Sequence, residues 1–223
     1  PSRRRERRHD ILEMLKSDYR VQEIVDYSGL EYDHLFLEGT GAMVFDHLER
    51  LAYVSKSNRA DPIILERFCT TFGYEPMAFD TTDHNGRPIY HTNVIMSIAT
   101  EYALICLDLI ANPDRRKEIA DRPTASGRTV INLSREQVNE FAGNALEMTG
   151  SKSRVLALSE RAANALTKEQ IKVIESHPMA IRQCSEFLHA RNGVEIRESD
   201  DTALSAKRVK ELKRQDMAAI ANE

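Results

Sequence analysis

Residues 51–79 read LAYVSKSNRADPIILERFCTTFGYEPMAF and contain one complete strand–helix–strand unit. The first five residues, Leu51–Ser55, are mostly apolar and predict a strand. A helix is predicted over Pro62–Phe72, because proline suits the first helical turn and Gly73 suits the helix end. Tyr74–Phe79 then predicts a second short strand. This order of elements indicates an α/β or an α+β fold.

Strand pairs followed by helices recur along the chain, which suggests repeated supersecondary units. The further predicted strands are Val21–Tyr27, Leu35–Asp46, Pro88–Ser97, Tyr102–Leu109, Val130–Leu133 and Val155–Ser159. The further predicted helices are Arg3–Ser17, Asn112–Asp121, Ser134–Met148, Ala162–Leu166 and Ile171–His177. Two of them open on capping boxes, at Ser134–Gln137 and Thr167–Gln170. The sequence contains no literal repeat, so the prediction of a repeated unit rests on the order of the elements alone.

The composition excludes several classes of protein. The chain has 223 residues, of which 41% are hydrophobic, and this is enough to build a core. A net charge of −4 gives no general electrostatic reason to expect nucleic acid as a partner. No segment approaches the roughly 20 apolar residues that a membrane span needs. Three cysteines and the absence of a signal peptide predict a cytoplasmic protein, and the missing initiator methionine predicts a start upstream of Pro1.

Two segments place polar residues beside apolar ones in a way that suggests a site. Glu38 lies in the apolar stretch Leu35–Gly41, and His91 lies in Pro88–Val94. A carboxylate among apolar residues is costly unless a cation or hydrogen-bond donors meet it, and glycines beside it let a ligand approach. Each residue alone could serve the structure only, since buried polar groups commonly satisfy the backbone. The seven histidines show no zinc-site spacing, so no metal is expected.

Several ordered motifs resemble those of the guanidine-group-modifying, or pentein, superfamily, which holds arginine deiminases, dimethylarginine dimethylaminohydrolases and amidinotransferases. They are Leu37–Gly41, Ala52–Ser55, Arg59–Asp61, Phe68–Cys69, Gly73–Pro76, Asp83–Gly86, Tyr90–Val94 and Phe141–Asn144. The resemblance is strongest to bacterial members of the amidinotransferase and citrulline-forming hydrolase type. It covers residues 1–177 as a partial amidinotransferase-like domain. Residues 178–223 form a divergent polar segment that is predicted to end in a helix over Thr202–Asn222.

The resemblance implies a pentein-type α/β propeller, of which this chain holds a part around a central cleft. It also implies thiol-dependent cleavage of a C–N bond in arginine or an arginine derivative, with no metal and no organic cofactor. Glu38 would grip the guanidinium of the substrate, and His91 would act as general acid and base. Arg59 would pair with the substrate carboxylate, and Asn93 would help to orient the substrate.

The chain departs from the pattern of the superfamily at both ends. Its relatives use a cysteine near the C-terminus as nucleophile, after a glycine-rich stretch. Here Cys184 has no glycine run before it and is only a weak candidate, while Cys69 and Cys106 are expected to be small buried hydrophobes. The first unit of the propeller, which carries another acidic ligand in relatives, would precede Pro1. The chain is therefore expected to be truncated at its N-terminus and divergent at its C-terminus.

Three functions remain open at this point. The first is an amidinotransferase or guanidino hydrolase acting on an arginine-like small molecule. The second is a catalytically inactive relative that binds a guanidino compound or a protein partner. The third is a nucleic-acid-contacting module that uses Arg3–Arg8 and Lys207–Arg214, although the first two readings imply neither nucleic acid nor membrane. A missing unit leaves strand edges uncovered and so predicts a homo-oligomer.

Overall fold

The computed structural model describes residues 8–39, 41–150, 154–176 and 179–183. Its helices are α1 (His9–Asp18), α2 (Pro62–Phe72), α3 (Pro113–Ala125), α4 (Arg135–Asn139), α5 (Glu160–Ala165) and α6 (Lys168–Ser176). Its strands are β1 (Val44–Asp46), β2 (Leu51–Ser55), β3 (Glu75–Phe79), β4 (Met96–Ile98), β5 (Tyr102–Ile105), β6 (Thr129–Asn132), β7 (Leu146–Thr149), β8 (Arg154–Leu158) and β9 (Met179–Gln183). Short 3-10 turns lie at Ser28–Asp33, Thr92–Val94 and Leu107–Leu109.

The strands within the described residues form three separate three-stranded sheets, β1-β2-β3, β4-β5-β6 and β7-β8-β9. In each sheet the first two strands pair antiparallel as a hairpin, and the third pairs parallel with the second. The parallel connections run through α2, through α3, and through α5 with α6. The α/β class and the repeat of a strand pair followed by a helix are therefore confirmed.

The first of these units shows why local sequence determines its elements. Asp61 caps α2, because its Oδ1 accepts a hydrogen bond from the backbone N–H of Ile63 at 2.8 Å. Pro62 is the first helical residue, and Gly73 ends the helix with φ of +68°. The helix then returns the chain so that β3 pairs in parallel with β2 from Leu51 to Ser55.

Strand β2 is buried on both faces, and its residues alternate between two apolar clusters. Leu51 and Tyr53 belong to the main core, which draws side chains from all three sheets. Ala52 and Val54 belong to a second cluster that packs against α2. A strand covered on both faces reads as a continuous apolar run, which is what residues 51–54 show.

A buried ion pair connects the first unit to the second. The Arg128 guanidinium, which lies just before β6, donates from Nη2 to Asp46 Oδ1 at 2.9 Å and places Nη1 2.8 Å from Oδ2. Its Nε also donates to the carbonyl oxygen of Ala99 at 2.8 Å. Both charged side chains are almost fully buried, so they need these several partners to offset their desolvation.

Four strand predictions are wrong or too long. Val21–Tyr27 is not a strand, because its side chains are mostly exposed and its alternating pattern has no sheet to pack on. Leu35–Asp46 contains only β1 at its end, and Pro88–Ser97 contains a 3-10 turn followed by β4. Tyr102–Leu109 ends as a strand at Ile105 and continues into a 3-10 turn.

The helix predicted from Ser134 through Met148 is also too long. It begins at the predicted capping box but ends at Asn139, and β7 occupies residues 146–149. The chain turns at Phe141, whose φ is +64°, and brings Gly143 against the backbone of the second unit. A Cβ on Gly143 would lie 2.6 Å from the carbonyl oxygen of Val94, so this contact requires glycine. Tertiary packing, which the helical pattern does not reveal, ends the helix.

The remaining sequence expectations concern the two ends of the chain. The predicted helix Arg3–Ser17 corresponds to α1 over its described part, while residues 1–7, Cys184 and Thr202–Asn222 lie outside the described residues. Strand β9 extends the third sheet past residue 177, and the division of the chain at that residue stays a prediction. None of the described helices combines the length and apolar character needed to cross a membrane.

Candidate active site

The four predicted site residues come from three loops that surround the first sheet and its junction with the second. Glu38 lies on the loop before β1, and Arg59 lies on the loop between β2 and α2. His91 and Asn93 lie at the turn before β4. The structure brings Glu38, Arg59 and His91 into one cluster, which we call the Glu38 cluster. Asn93 flanks it through a shared contact with Gly41.

The carboxylate of Glu38 is the centre of this cluster. His91 Nε2 lies 2.6 Å from Glu38 Oε2, which is hydrogen-bond distance. Arg59 Nη1 approaches the same oxygen at 3.7 Å, too far for a hydrogen bond but close enough for an ion pair. The His91 side chain is 1% exposed, whereas those of Glu38 and Arg59 are 25% and 35% exposed. The cluster therefore has a buried base on one side and opens to solvent on the other.

Backbone hydrogen bonds fix the Glu38 and Arg59 loops against each other. The N–H of Glu38 donates to the carbonyl oxygen of Arg59 at 2.9 Å. The N–H of Asp61 donates to the carbonyl oxygen of Phe36 at 2.7 Å. An isolated antiparallel bridge between Leu37 and Ala60 lies between them. The predicted strand Leu35–Asp46 is thus replaced by a short paired loop, which brings a carboxylate and a guanidinium together.

Buried hydroxyl groups hold the turn that carries His91. The hydroxyl of Thr92 donates to the carbonyl oxygen of Ala42 at 2.5 Å and accepts from the N–H of Ser55 at 2.8 Å. The hydroxyl of Ser55 in turn lies 2.6 Å from that of Thr81. These residues were not predicted from the sequence, although a serine or threonine at the end of an apolar run, as at Ser55, is a recognisable signal for such anchoring.

Gly41 fits closely under two of the predicted site residues. Its φ is +94°, and its carbonyl oxygen accepts a hydrogen bond from the N–H of Asn93 at 3.0 Å. A Cβ at this position would lie 3.0 Å from both His91 Nδ1 and Asn93 Oδ1. The second glycine of the motif Leu37–Gly41 is therefore required by both its backbone conformation and its neighbours.

The cysteines within the described part of the chain lie away from solvent. Cys69 in α2 and Cys106 after β5 are both buried. Burial raises the pKa of the Cys69 thiol to about 11, and burial likewise raises the pKa of Cys106. Both thiols are therefore protonated near neutral pH, which does not suit a nucleophile. No group of three or more potential metal ligands occurs among the described residues.

A family model described as N,N dimethylarginine dimethylhydrolase, eukaryotic, matches residues 1–186. The chain belongs to this dimethylhydrolase family. A second model, described as prephenate dehydratase, matches residues 154–223, which is less than half of the chain and overlaps the first match. The search of curated proteins found no match.

Solved structures share the fold of this dimethylhydrolase family member. Apo ArgZ, an arginine dihydrolase from the ornithine–ammonia cycle in cyanobacteria, aligns with a TM-score of 0.59 and 16% identity over 84% of this chain and 27% of ArgZ. The substrate-bound N-terminal domain of ArgZ aligns with a TM-score of 0.55 and 15% identity over 81% of this chain and 59% of that domain. A variant of AgrE in complex with L-arginine aligns with a TM-score of 0.56 and 15% identity, over 80% of this chain and 24% of AgrE.

These similarities and the family match confirm the resemblance to the guanidine-group-modifying, or pentein, superfamily and its α/β fold. The present chain spans 27% of the apo ArgZ chain and 59% of the ArgZ N-terminal domain. At 15–16% identity the structural matches establish the fold but not the roles of individual residues. Those roles must be argued from the geometry of the site.

Proposed function

We propose that the Glu38 cluster binds the guanidino group of arginine or of an arginine derivative, as part of an amidinotransferase or guanidino-hydrolase site. The observation that carries this proposal is the contact of 2.6 Å between Glu38 and the buried His91, with Arg59 approaching the same carboxylate oxygen. A carboxylate that already faces one guanidinium, and is partly open to solvent, has the chemistry needed to accept another. The L-arginine complex of AgrE supports a small guanidino compound as the partner.

Each residue of the site has a distinct proposed role. Glu38 accepts hydrogen bonds from the planar guanidinium of the ligand, and Arg59 pairs with its carboxylate. Asn93 orients the ligand from beside Gly41. His91 exchanges protons with the reacting groups, for which a histidine hydrogen-bonded to a carboxylate is suited.

In the proposed reaction a thiolate attacks the guanidinium carbon and forms a C–S bond. The bond from that carbon to the leaving amine breaks, and His91 gives the amine its proton. His91 then removes a proton from water, whose oxygen attacks the same carbon, and the C–S bond breaks to restore the thiolate. An amine in place of water would give amidino transfer. No metal or organic cofactor takes part in these steps.

The thiol of this reaction would come from outside the described residues, where Cys184 lies. The buried, protonated state of Cys69 and Cys106 favours a second candidate function, in which the chain binds a guanidino compound without turning it over. The proposal assigns the guanidino site to residues 1–177 and treats residues 178–223 as a separate segment.

Binding and turnover of L-arginine by the full chain distinguish these functions. We expect calorimetry to show saturable binding that Glu38→Gln and His91→Ala abolish or weaken. Glu140→Gln and His84→Ala serve as matched controls, because His84 is exposed, the Glu140 side chain is 45% exposed, and both lie outside the Glu38 cluster. Release of citrulline or ornithine that Cys184→Ala abolishes would establish the enzyme, whereas binding without release would establish the inactive relative. An absence of binding contradicts both.

A further inference from the structure

Tyr90 contacts two members of the Glu38 cluster, and neither the motif analysis nor the proposed reaction assigns it a role. The guanidinium carbon of Arg59 lies 4.8 Å from the centroid of the Tyr90 ring. The same ring lies 4.9 Å from the imidazole of His91. Tyr90 is 39% exposed, so its ring stands at the solvent side of the cluster.

The framework around this contact is fixed by hydrogen bonds that involve neither the ring nor the guanidinium. The hydroxyl of Ser57 donates to the carbonyl oxygen of Tyr90 at 3.0 Å and accepts from the N–H of Arg59 at 3.1 Å. The carbonyl oxygen of Arg59 accepts from the N–H of Glu38 at 2.9 Å. One serine side chain therefore holds the backbones of Tyr90 and Arg59 together, and the same loop is tied to Glu38.

The guanidinium of Arg59 lies over the Tyr90 ring and forms an ion pair, but no hydrogen bond, with the Glu38 carboxylate. Its separation of 3.7 Å from Glu38 Oε2 exceeds hydrogen-bond length. An arginine that stacks on an aromatic face keeps its in-plane N–H donors available for a carboxylate. Glu38 at the same time keeps acceptor capacity for the guanidino end of a ligand.

We propose that Tyr90 is a specificity-determining residue that positions Arg59 to recognise the carboxylate of the ligand. The site then selects guanidino compounds that carry an α-carboxylate over those that lack one. This inference rests on the proposed function and deepens it, because it concerns the carboxylate end of the ligand and leaves the guanidino end to Glu38.

The test is calorimetric titration of the full chain with L-arginine and with agmatine, which is the same guanidino chain without the carboxylate. Replacing the ring in Tyr90→Leu is expected to weaken L-arginine binding about two- to fivefold, the range that an exposed cation–π contact supports. Agmatine binding is expected to stay unchanged, because agmatine has no carboxylate for Arg59 to hold. Tyr90→Phe keeps the ring and is expected to bind both ligands as the parent chain does.

Agmatine serves as the internal reference, because general damage to the site would weaken both ligands alike. An equal loss for the two ligands in Tyr90→Leu would overturn the inference and leave Tyr90 with a packing role only. Unchanged binding of both ligands in Tyr90→Leu would overturn it as well. If the parent chain binds neither ligand, the proposed function fails and this inference fails with it. The matched control Tyr32→Leu, at an exposed tyrosine of the first 3-10 turn, is expected to change neither affinity.

Discussion

The molecule contains two acid–cation clusters of similar composition, and they differ in how open they are. Asp46 and Arg128 connect the first two units, and their side chains are 1% and 3% exposed. In the Glu38 cluster only His91 is as deeply buried, while Glu38 and Arg59 are 25% and 35% exposed. The first cluster is closed within the protein, and the second faces solvent.

The two carboxylates also differ in how many of their acceptor positions are used. Asp46 Oδ1 accepts from Arg128 and from the N–H groups of Leu48 and Glu49, while its Oδ2 faces the same guanidinium. The hydrogen bond and the ion pair that the Glu38 side chain makes with described residues both fall on its Oε2. A carboxylate offers about four lone-pair positions, so Glu38 keeps capacity for a ligand where Asp46 keeps little. The comparison separates a structural ion pair from a binding site.

Breaking the closed cluster should give the largest change in stability. Arg128→Met retains the apolar stem but leaves the charge of Asp46 buried without a counter-charge, which should lower the free energy of unfolding by about 3–5 kcal/mol. The matched control is Arg154→Met, whose half-buried pairing with Glu101 joins the second and third units and should be worth about 0–1 kcal/mol. Equal losses in urea denaturation would contradict the assignment of Asp46–Arg128 as the structural pair.

Breaking the open cluster should affect binding and spare the fold. Glu38→Gln removes a charged acceptor of guanidinium hydrogen bonds, so L-arginine binding should weaken by about tenfold or more. The free energy of unfolding should change by less than about 1 kcal/mol, because the pair with Arg59 is partly exposed. Calorimetry and urea denaturation measure the two effects. A loss of stability comparable with that of Arg128→Met would show that Glu38 is structural.

A smaller and more local disturbance is available at the glycine beneath the site. Gly41→Ala and Gly86→Ala both place a side chain at positive φ, which should cost about 1 kcal/mol or more of unfolding free energy in each. The new Cβ at residue 41 would contact His91 and Asn93. The new Cβ at residue 86 would have no described heavy atom within 4 Å apart from its chain neighbours. We therefore expect weaker arginine binding for Gly41→Ala alone. The same arginine-binding constant for both variants would show that Gly41 does not affect the site.

The smallest expected effect concerns the buried thiols. Cys69→Ala and Cys106→Ala should each change arginine binding by less than about twofold, because both side chains are buried and their thiols are protonated. Mass spectrometry should find neither thiol alkylated by iodoacetamide in the native protein at pH 7. Rapid alkylation of Cys69, accompanied by loss of arginine binding, would contradict the assignment of Cys69 as a buried, unreactive thiol.

The regular scaffold could be predicted from sequence where its signals are local. Helix α2 agrees with its prediction at both ends, because Asp61, Pro62 and Gly73 act through bonds and φ angles within the helix termini. The capping box at Ser134 and Gln137 was also predicted and is confirmed. The sequence could not show that Gln137 would then donate a hydrogen bond to Gln170, the glutamine of the other capping box, at 2.7 Å.

The residues of the candidate site were selected from the sequence, and the structure brings Glu38, Arg59 and His91 together, but their geometry could not be predicted. Glu38 and His91 were selected as polar residues within apolar stretches, yet both stretches were predicted to be strands. Their loops are irregular because Thr92 hydrogen-bonds to Ala42 and Ser55, residues 50 and 37 positions away, in place of a strand partner. The hydropathy pattern of a segment cannot predict such contacts, because it describes only residues that are close together in the sequence.

The central claim is that a guanidinium binds Glu38 beside His91, and the imidazole of His91 reports this directly. In nitrogen-15 NMR spectra of histidine-labelled protein, the His91 signals are identified by their loss in His91→Ala. Because a guanidinium on Glu38 must alter the hydrogen bond that its carboxylate accepts from His91 Nε2, addition of L-arginine should shift these signals saturably. The signals of His84, an exposed turn residue, should not move. His91 signals that stay in place while the protein remains folded at millimolar L-arginine would contradict the account.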